Sequence, residues 1–177
     1  EAVEIFLKEN KIKSPILLIN PFMGGSAKNI TDEEYTKLIK AILKKSKNIN
    51  VILTCHISEE DRGQKILDCI KDKRIHLYAN GGDLLNLAAI IDRSDIYFGG
   101  STGPTHIAGA LKKTIVAIYP NKKTQSPLRW GVFGHKDVTY IVPDKDKDEN
   151  YKHKFFDSYT DKTRKEIVNA IISNIKK

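Results

Sequence analysis

The sequence predicts an α/β domain: a Rossmann-like parallel sheet of about six strands with helices on both faces. Three observations carry this expectation. Six short apolar runs, at residues 15–19, 51–53, 75–78, 96–98, 114–119 and 138–142, have the near-continuous hydrophobicity of strands covered on both sides. Most of them are separated by stretches with apolar residues at helical spacing, the alternation a parallel sheet requires. Turns rich in Gly, Asn and Pro follow several of the runs, at the strand ends where open α/β sheets place their ligands.

The 177 residues suffice for one well-buried domain and are few for two, so residues 1–177 are expected to form a single unit. Hydrophobic content of 40% with 29% charge is ordinary globular composition, and no apolar run approaches a membrane span. The chain opens on Glu1 rather than Met, which suggests a piece cut from a longer protein. Cys55 and Cys69 lack metal-ligand spacing, so both are expected as buried free thiols in a reducing, cytoplasmic setting, with no metal and no cofactor. The net charge of +8 raises nucleic acid as a partner, but the lysines scatter and no nucleic-acid signature appears. Such a surface suits solubility, and also a peripheral position on an anionic membrane such as the cytoplasmic face of the inner membrane.

Residues 1–13 read as a short helix or a linker, with Val3, Ile5, Phe6 and Leu7 among charges. Pro15 to Ile19 is the first core strand, and residues 20–30 form a loop at its end. Thr31-Asp32-Glu33-Glu34 reads as a capping box opening a helix whose stripe is Tyr35, Leu38, Ile39, Ile42 and Leu43. A second strand follows at residues 50–55. Ser58-Glu59-Glu60-Asp61 then caps a helix with Ile66, Leu67 and Ile70 inward, its acids suiting the helix dipole.

Ile75 to Tyr78 is a third strand, and Asn80-Gly81-Gly82 turns the chain into a helix capped by Asp83, with Leu84, Leu87, Ala88 and Ile91 as its inner face. Beyond the strand at residues 114–119, the loop 120–131 is long and polar and is expected to help close a cleft. Residues 144–150 read as a solvated charged loop. A terminal helix is expected within 160–177, with Ile167, Ala170, Ile171 and Ile175 on one face.

The rest of the chain is organised around residues 96–111. Ile96-Tyr97-Phe98 has strand character and Gly99-Gly100 ends it. Ser101 or Thr102 can cap a following helix, Pro104 fits its first turn, and Ile107, Ala110 and Leu111 recur at helical spacing. Free amides at the positive end of a helix, reached past glycines, suit a phosphate group; a purely structural turn is the competing reading. His106 favours the first, because an imidazole near the mouth can donate to a phosphate or a sugar hydroxyl. The dinucleotide fingerprint and the Walker motif are both absent from the sequence.

The run Gly-Ser-Thr-Gly-Pro-Thr-His-Ile-Ala-Gly-Ala-Leu, followed by Thr-Ile-Val-Ala-Ile-Tyr-Pro, resembles the C-terminal half of the heptosyltransferases of lipopolysaccharide core synthesis, glycosyltransferase family 9. The resemblance extends from about Ser14 to Pro143. It implies the donor-nucleotide half of a two-domain GT-B enzyme that moves heptose from ADP-heptose to a lipid A–core acceptor without a metal. It further implies that Lys28, Ser101, Thr102, Gly103 and His106 bind the donor's phosphates, and that Glu59, or else Glu60, reaches the ribose. Gly82 would lie along the adenine. No catalytic residue is expected in this half, since the family's base sits in the N-terminal domain, which also holds the lipid acceptor. The chain alone would then transfer no sugar. Two structural alternatives stay open: a solvated Lys28, and a plain turn at Gly81-Gly82. One position departs from the family pattern, with Ser101 where an aspartate usually contacts the donor sugar, so another nucleotide sugar is an alternative donor. A stand-alone nucleotide-binding module is an alternative of a different class.

Overall fold

The apolar runs become strands β1 (Ile16–Ile19), β2 (Asn50–His56), β3 (Ile75–Asn80), β4 (Ile96–Gly99), β5 (Thr114–Ile118) and β6 (Val138–Ile141) in a computed structural model that describes residues 1–22, 28–147 and 154–175. Between and around them lie helices α1 (Ala2–Glu9), α2 (Asp32–Lys45), α3 (Glu60–Ile70), α4 (Leu84–Asp92), α5 (Gly103–Ala110), α6 (Pro127–Trp130) and α7 (Asp161–Ile175). The strands form one sheet in the order β3-β2-β1-β4-β5-β6, every pair parallel. Sequence order reverses between β1 and β4, and it is at such a reversal that an open parallel sheet leaves a crevice at its C-terminal edge.

Alternation along the strands explains why both faces are covered. Leu17, Ile19, Val51, Leu53, Phe98 and Val116 meet α2, α3 and α7 on one face. Their neighbours Leu18, Ile52, Tyr97, Ile115 and Ala117 meet α1, α4 and α5 on the other. Residues 1–13 therefore contribute a docked helix, not a linker: Val3, Leu7 and Ile12 are buried in the second core.

Several local expectations are corrected. Only half of the capping box forms: Thr31 accepts from the Glu34 amide, while the Glu34 carboxylate turns to Lys37 and Arg164. The chain enters α3 through a 3-10 turn, Ile57–Glu59, capped by the His56 ring instead of Ser58. On α4 the buried residues are Ile90 and Ile91, and Leu84 is exposed because it sits in the first turn, beyond the sheet edge. Helix α5 buries Thr105, Ala108 and Gly109, leaving Ala110 outside. Cys55 is buried, which pushes its thiol up to about 11, but Cys69 is exposed.

Buried tyrosines give the fold a definite alkaline limit. Tyr35, Tyr97 and Tyr119 are fully buried, and desolvation holds all three hydroxyls above the ordinary value of 10.0, Tyr119 at about 12. Their contribution is complete below pH 10.0, where both folded and unfolded chains carry neutral tyrosine. As pH rises further, the unfolded chain ionises first and the folded state loses about 1.4 kcal/mol per pH unit for each tyrosine kept neutral. Tyrosinate absorbance from these three residues is expected to appear together with loss of circular dichroism. Ionisation of all tyrosines ahead of any unfolding would contradict the burial.

Candidate functional site

The turn from β4 into α5 stands at the reversal of strand order, and the hydrogen bonds beneath it fix its shape. Thr105, fully buried in the first turn of α5, donates its hydroxyl to the Gly100 carbonyl at 2.6 Å and lies 3.3 Å from the Tyr97 hydroxyl. The Thr102 amide closes back on the Gly100 carbonyl at 2.9 Å. Thr102 occupies the N-cap position with no side-chain capping bond, and Pro104 follows in the first turn. Among the described residues no side chain is seen to cap this helix, and an uncapped positive end favours an anion. A Cβ added at Gly103 would meet none of the described atoms within 4 Å.

A cavity of about 310 Å³ opens at this turn, lined by Ser101, Thr102, Gly103, His106, Pro120, Gln125 and Trp130. Its far wall is the 120–131 loop, which docks as a 3-10 turn, Lys123–Gln125, followed by α6. The loop is tied down at several points. Tyr119 donates to the Trp130 carbonyl at 3.0 Å, the Trp130 indole donates to the Thr124 carbonyl at 3.0 Å, and the Val132 amide donates to the Tyr140 hydroxyl at 2.7 Å. Val132 also fills the space above Gly109, where a Cβ would overlap it.

The structure thus brings together four of the residues the sequence singled out: Ser101, Thr102, Gly103 and His106. Lys28 is not among the described residues lining the cavity. It is buried, with its ammonium 3.1 Å from the Asp146 carboxylate, so it is not the solvated lysine that composition also allowed. Asp146 is held in turn by the amide and hydroxyl of Ser158, at 2.9 and 2.8 Å. Of the charged loop expected at 144–150, residues 148–150 lie outside the described residues; Asp144, Lys145 and Lys147 are exposed as expected, and Asp146 is drawn inward by Ser158 and Lys28. Desolvation raises the Asp146 carboxyl, but the hydrogen bonds from Ser158 and Lys28 outweigh it and leave the group below its ordinary value.

Glu59 lies at the end of β2, in a cluster that sequence reasoning missed. Arg62 makes a bidentate pair with Asp32 at 2.6 and 2.7 Å, reaches Glu59 at 3.2 Å, and places its guanidinium 4.3 Å from the centre of the Phe22 ring. The clamp joins the N-terminal ends of α2 and α3 and fixes Glu59 at the sheet edge. Glu60 is exposed on the first turn of α3. Gly82, at φ +91°, sits at the neighbouring strand end beside His56. A left-handed turn there needs glycine, so the conformation alone accounts for the residue.

Comparison with known proteins agrees with this fold. A family model described as glycosyltransferase family 9 (heptosyltransferase) matches residues 4–160. A Haemophilus influenzae protein named "Putative glycosyltransferase" is 29% identical over 133 residues, 73% of this chain and 38% of that protein. The E. coli ADP-heptose lipopolysaccharide heptosyltransferase II structure superposes with a TM-score of 0.73 at 17% identity, covering 98% of this chain and 51% of the other. The E. coli heptosyltransferase WaaC, solved with ADP, gives 0.70 at 15% identity, covering 97% and 48%. The chain spans about half the length of these solved structures and less of the curated relative. On the family match, which takes in most of the sequence, the chain belongs to glycosyltransferase family 9.

Proposed function

We propose that this chain is the donor-binding half of a heptosyltransferase-like enzyme, taking ADP-heptose and delivering the sugar to the inner core of a lipopolysaccharide. The observation that carries the reading is the cavity at the uncapped start of α5, placed where the parallel sheet reverses its strand order. In the transfer, the acceptor hydroxyl forms a bond to the anomeric carbon while the bond to the nucleoside diphosphate breaks, and the departing diphosphate gains negative charge. The Gly103 amide, the helix end and His106 would stabilise that charge, and Glu59, fixed by Arg62, would accept from ribose hydroxyls. Among the described residues lining the cavity none is a carboxylate of the kind the family resemblance implies as the base, and His106 is assigned here to the departing diphosphate. The isolated chain is expected to give no glycosylated lipid by mass spectrometry; product above a no-protein control would show a complete enzyme.

Ser101 favours one second reading, in which the sugar is not heptose, because a hydroxyl replaces the carboxylate that the family resemblance implies at this position. Calorimetry with ADP, ADP-heptose and other nucleotide sugars separates the two. Lys28 is proposed to exchange Asp146 for the donor diphosphate. Lys28→Met should then weaken ADP by roughly tenfold or more and leave adenosine unchanged, since one charge-assisted contact is worth about 1.5–3 kcal/mol. Asp146→Asn should strengthen ADP binding by releasing the ammonium. Equal losses for ADP and adenosine in the first variant, or no gain in the second, would reduce Lys28 to a structural partner of Asp146.

A further inference from the structure

The turn Ile57–Glu59, between β2 and α3, is flanked by two side chains that the structure holds in place. His56 ends β2 and caps the turn: the Ser58 amide donates to His56 Nδ1 at 3.2 Å, and the Ser58 hydroxyl lies 2.7 Å from the same nitrogen. An amide can only donate, so the arrangement that satisfies both contacts makes Nδ1 an acceptor. The uncharged ring then carries its proton on Nε2. Glu59 directly precedes α3 but makes no capping bond to it. Its Oε2 meets Arg62 Nη1 instead, and the other two guanidinium nitrogens are spent on Asp32.

Each side chain keeps one atom in reserve. Among the described residues nothing bonds His56 Nε2 or Glu59 Oε1. The first is an N–H donor and the second a carboxylate acceptor, three positions apart around one short turn. His56 Nε2 also faces the turn after β3, because a Cβ at Gly82 would lie 3.5 Å from it, and the φ of +91° there favours a residue without a side chain.

The sheet sets the distance from this pair to the start of α5. β2 stands two strands from β4, about 10 Å at the usual strand spacing. That is the scale on which a nucleotide separates its diphosphate from its base. Resting on the reading of this chain as a nucleotide-sugar-binding half, we propose that His56 is a specificity-determining residue. Its Nε2–H donates to a ring nitrogen of the donor's purine, while Glu59 accepts from the ribose of the same nucleoside. The Ser58 cap fixes the tautomer and the Arg62 clamp fixes the carboxylate, so base and ribose are read by one preformed turn.

Replacing one ring nitrogen of the base by C–H tests the contact. Among 1-deaza-, 3-deaza- and 7-deaza-ADP, calorimetry on the chain should find one that binds about three- to tenfold more weakly than ADP, the worth of a single neutral hydrogen bond. His56→Asn keeps an acceptor for the Ser58 amide, since asparagine caps well, but is too short to reach the base. It should weaken ADP by that same factor and leave the affected analogue unchanged, with thermal unfolding as in the parent. All three analogues binding like ADP, or a difference that persists in His56→Asn, would overturn the assignment. 2′,3′-Dideoxy-ADP keeps that failure apart from failure of the underlying reading. Glu59→Ala should abolish the preference for ADP over the dideoxy nucleotide. If it does so while the deaza series is flat, only the role of His56 falls; if the preference survives, or the parent binds no ADP, the nucleoside does not lie at this turn and both fall together.

Discussion

Gly103→Val is expected to abolish binding of ADP to the isolated chain while leaving its thermal unfolding unchanged. The two halves of that expectation rest on separate observations. For the fold, a Cβ at Gly103 meets none of the described atoms within 4 Å and the residue is exposed at the start of α5, so the substitution falls in the class that shifts stability by no more than about 0.5 kcal/mol. For the ligand, the same open space is where a phosphate must approach the helix amides, and a branched side chain would fill it. The loss should be at least about a hundredfold, on the order of 3 kcal/mol. Gly103→Ala, with a smaller obstacle, should fall between. Calorimetry checks the affinity and scanning calorimetry the fold; an unchanged Kd would remove the turn from the site.

The strands were legible because a sheet covered on both faces has no room for polar alternation. Residues 16–19, 51–55 and 115–118 are buried at every position, and their apolar runs say so directly. The turn at residues 99–103 was legible for a related reason: glycines, a proline and a threonine at fixed offsets describe a strand-to-helix turn with little help from the rest of the chain. What could not be read depends on contacts between distant segments. Lys28 and Asp146 each look like surface charges in their own surroundings, and only the docking of residues 154–156 beside Asn29 brings them together. Arg62 likewise meets Asp32 only because α2 packs opposite α3. Helix faces failed where a helix meets the sheet near its C-terminal edge. Periodicity assigns Leu84 to the inner stripe, but it sits in the first turn of α4, beyond the strands, and is 65% exposed.

The second large effect is expected at Gly99, the last residue of β4. Its backbone does not lie in the left-handed region, so alanine would be conformationally acceptable and, through the unfolded chain alone, slightly stabilising. Packing reverses that sign. A Cβ at Gly99 would stand 2.6 Å from the Tyr97 hydroxyl oxygen and 2.9 Å from two ring carbons, and Tyr97 is fully buried with no free volume to retreat into. Overpacking of this kind costs about 1–3 kcal/mol, which for a chain of this size lowers Tm by roughly 2–4 °C for each kcal/mol. The damage should also reach the site. The Tyr97 hydroxyl lies 3.3 Å from Thr105 Oγ1, and Thr105 holds the Gly100 carbonyl, so a displaced ring loosens the turn that aims α5 at the cavity. Gly99→Ala should therefore weaken ADP binding as well as stability, unlike Gly103→Val, which acts on binding alone. Tyr97→Leu supplies the control: with the ring removed, the added methyl has space, and the cost of Gly99→Ala measured in that background should nearly vanish. If the cost were the same in both backgrounds, the tyrosine would not be what requires glycine at this position, and the link from β4 through Thr105 to the cavity would lose its support.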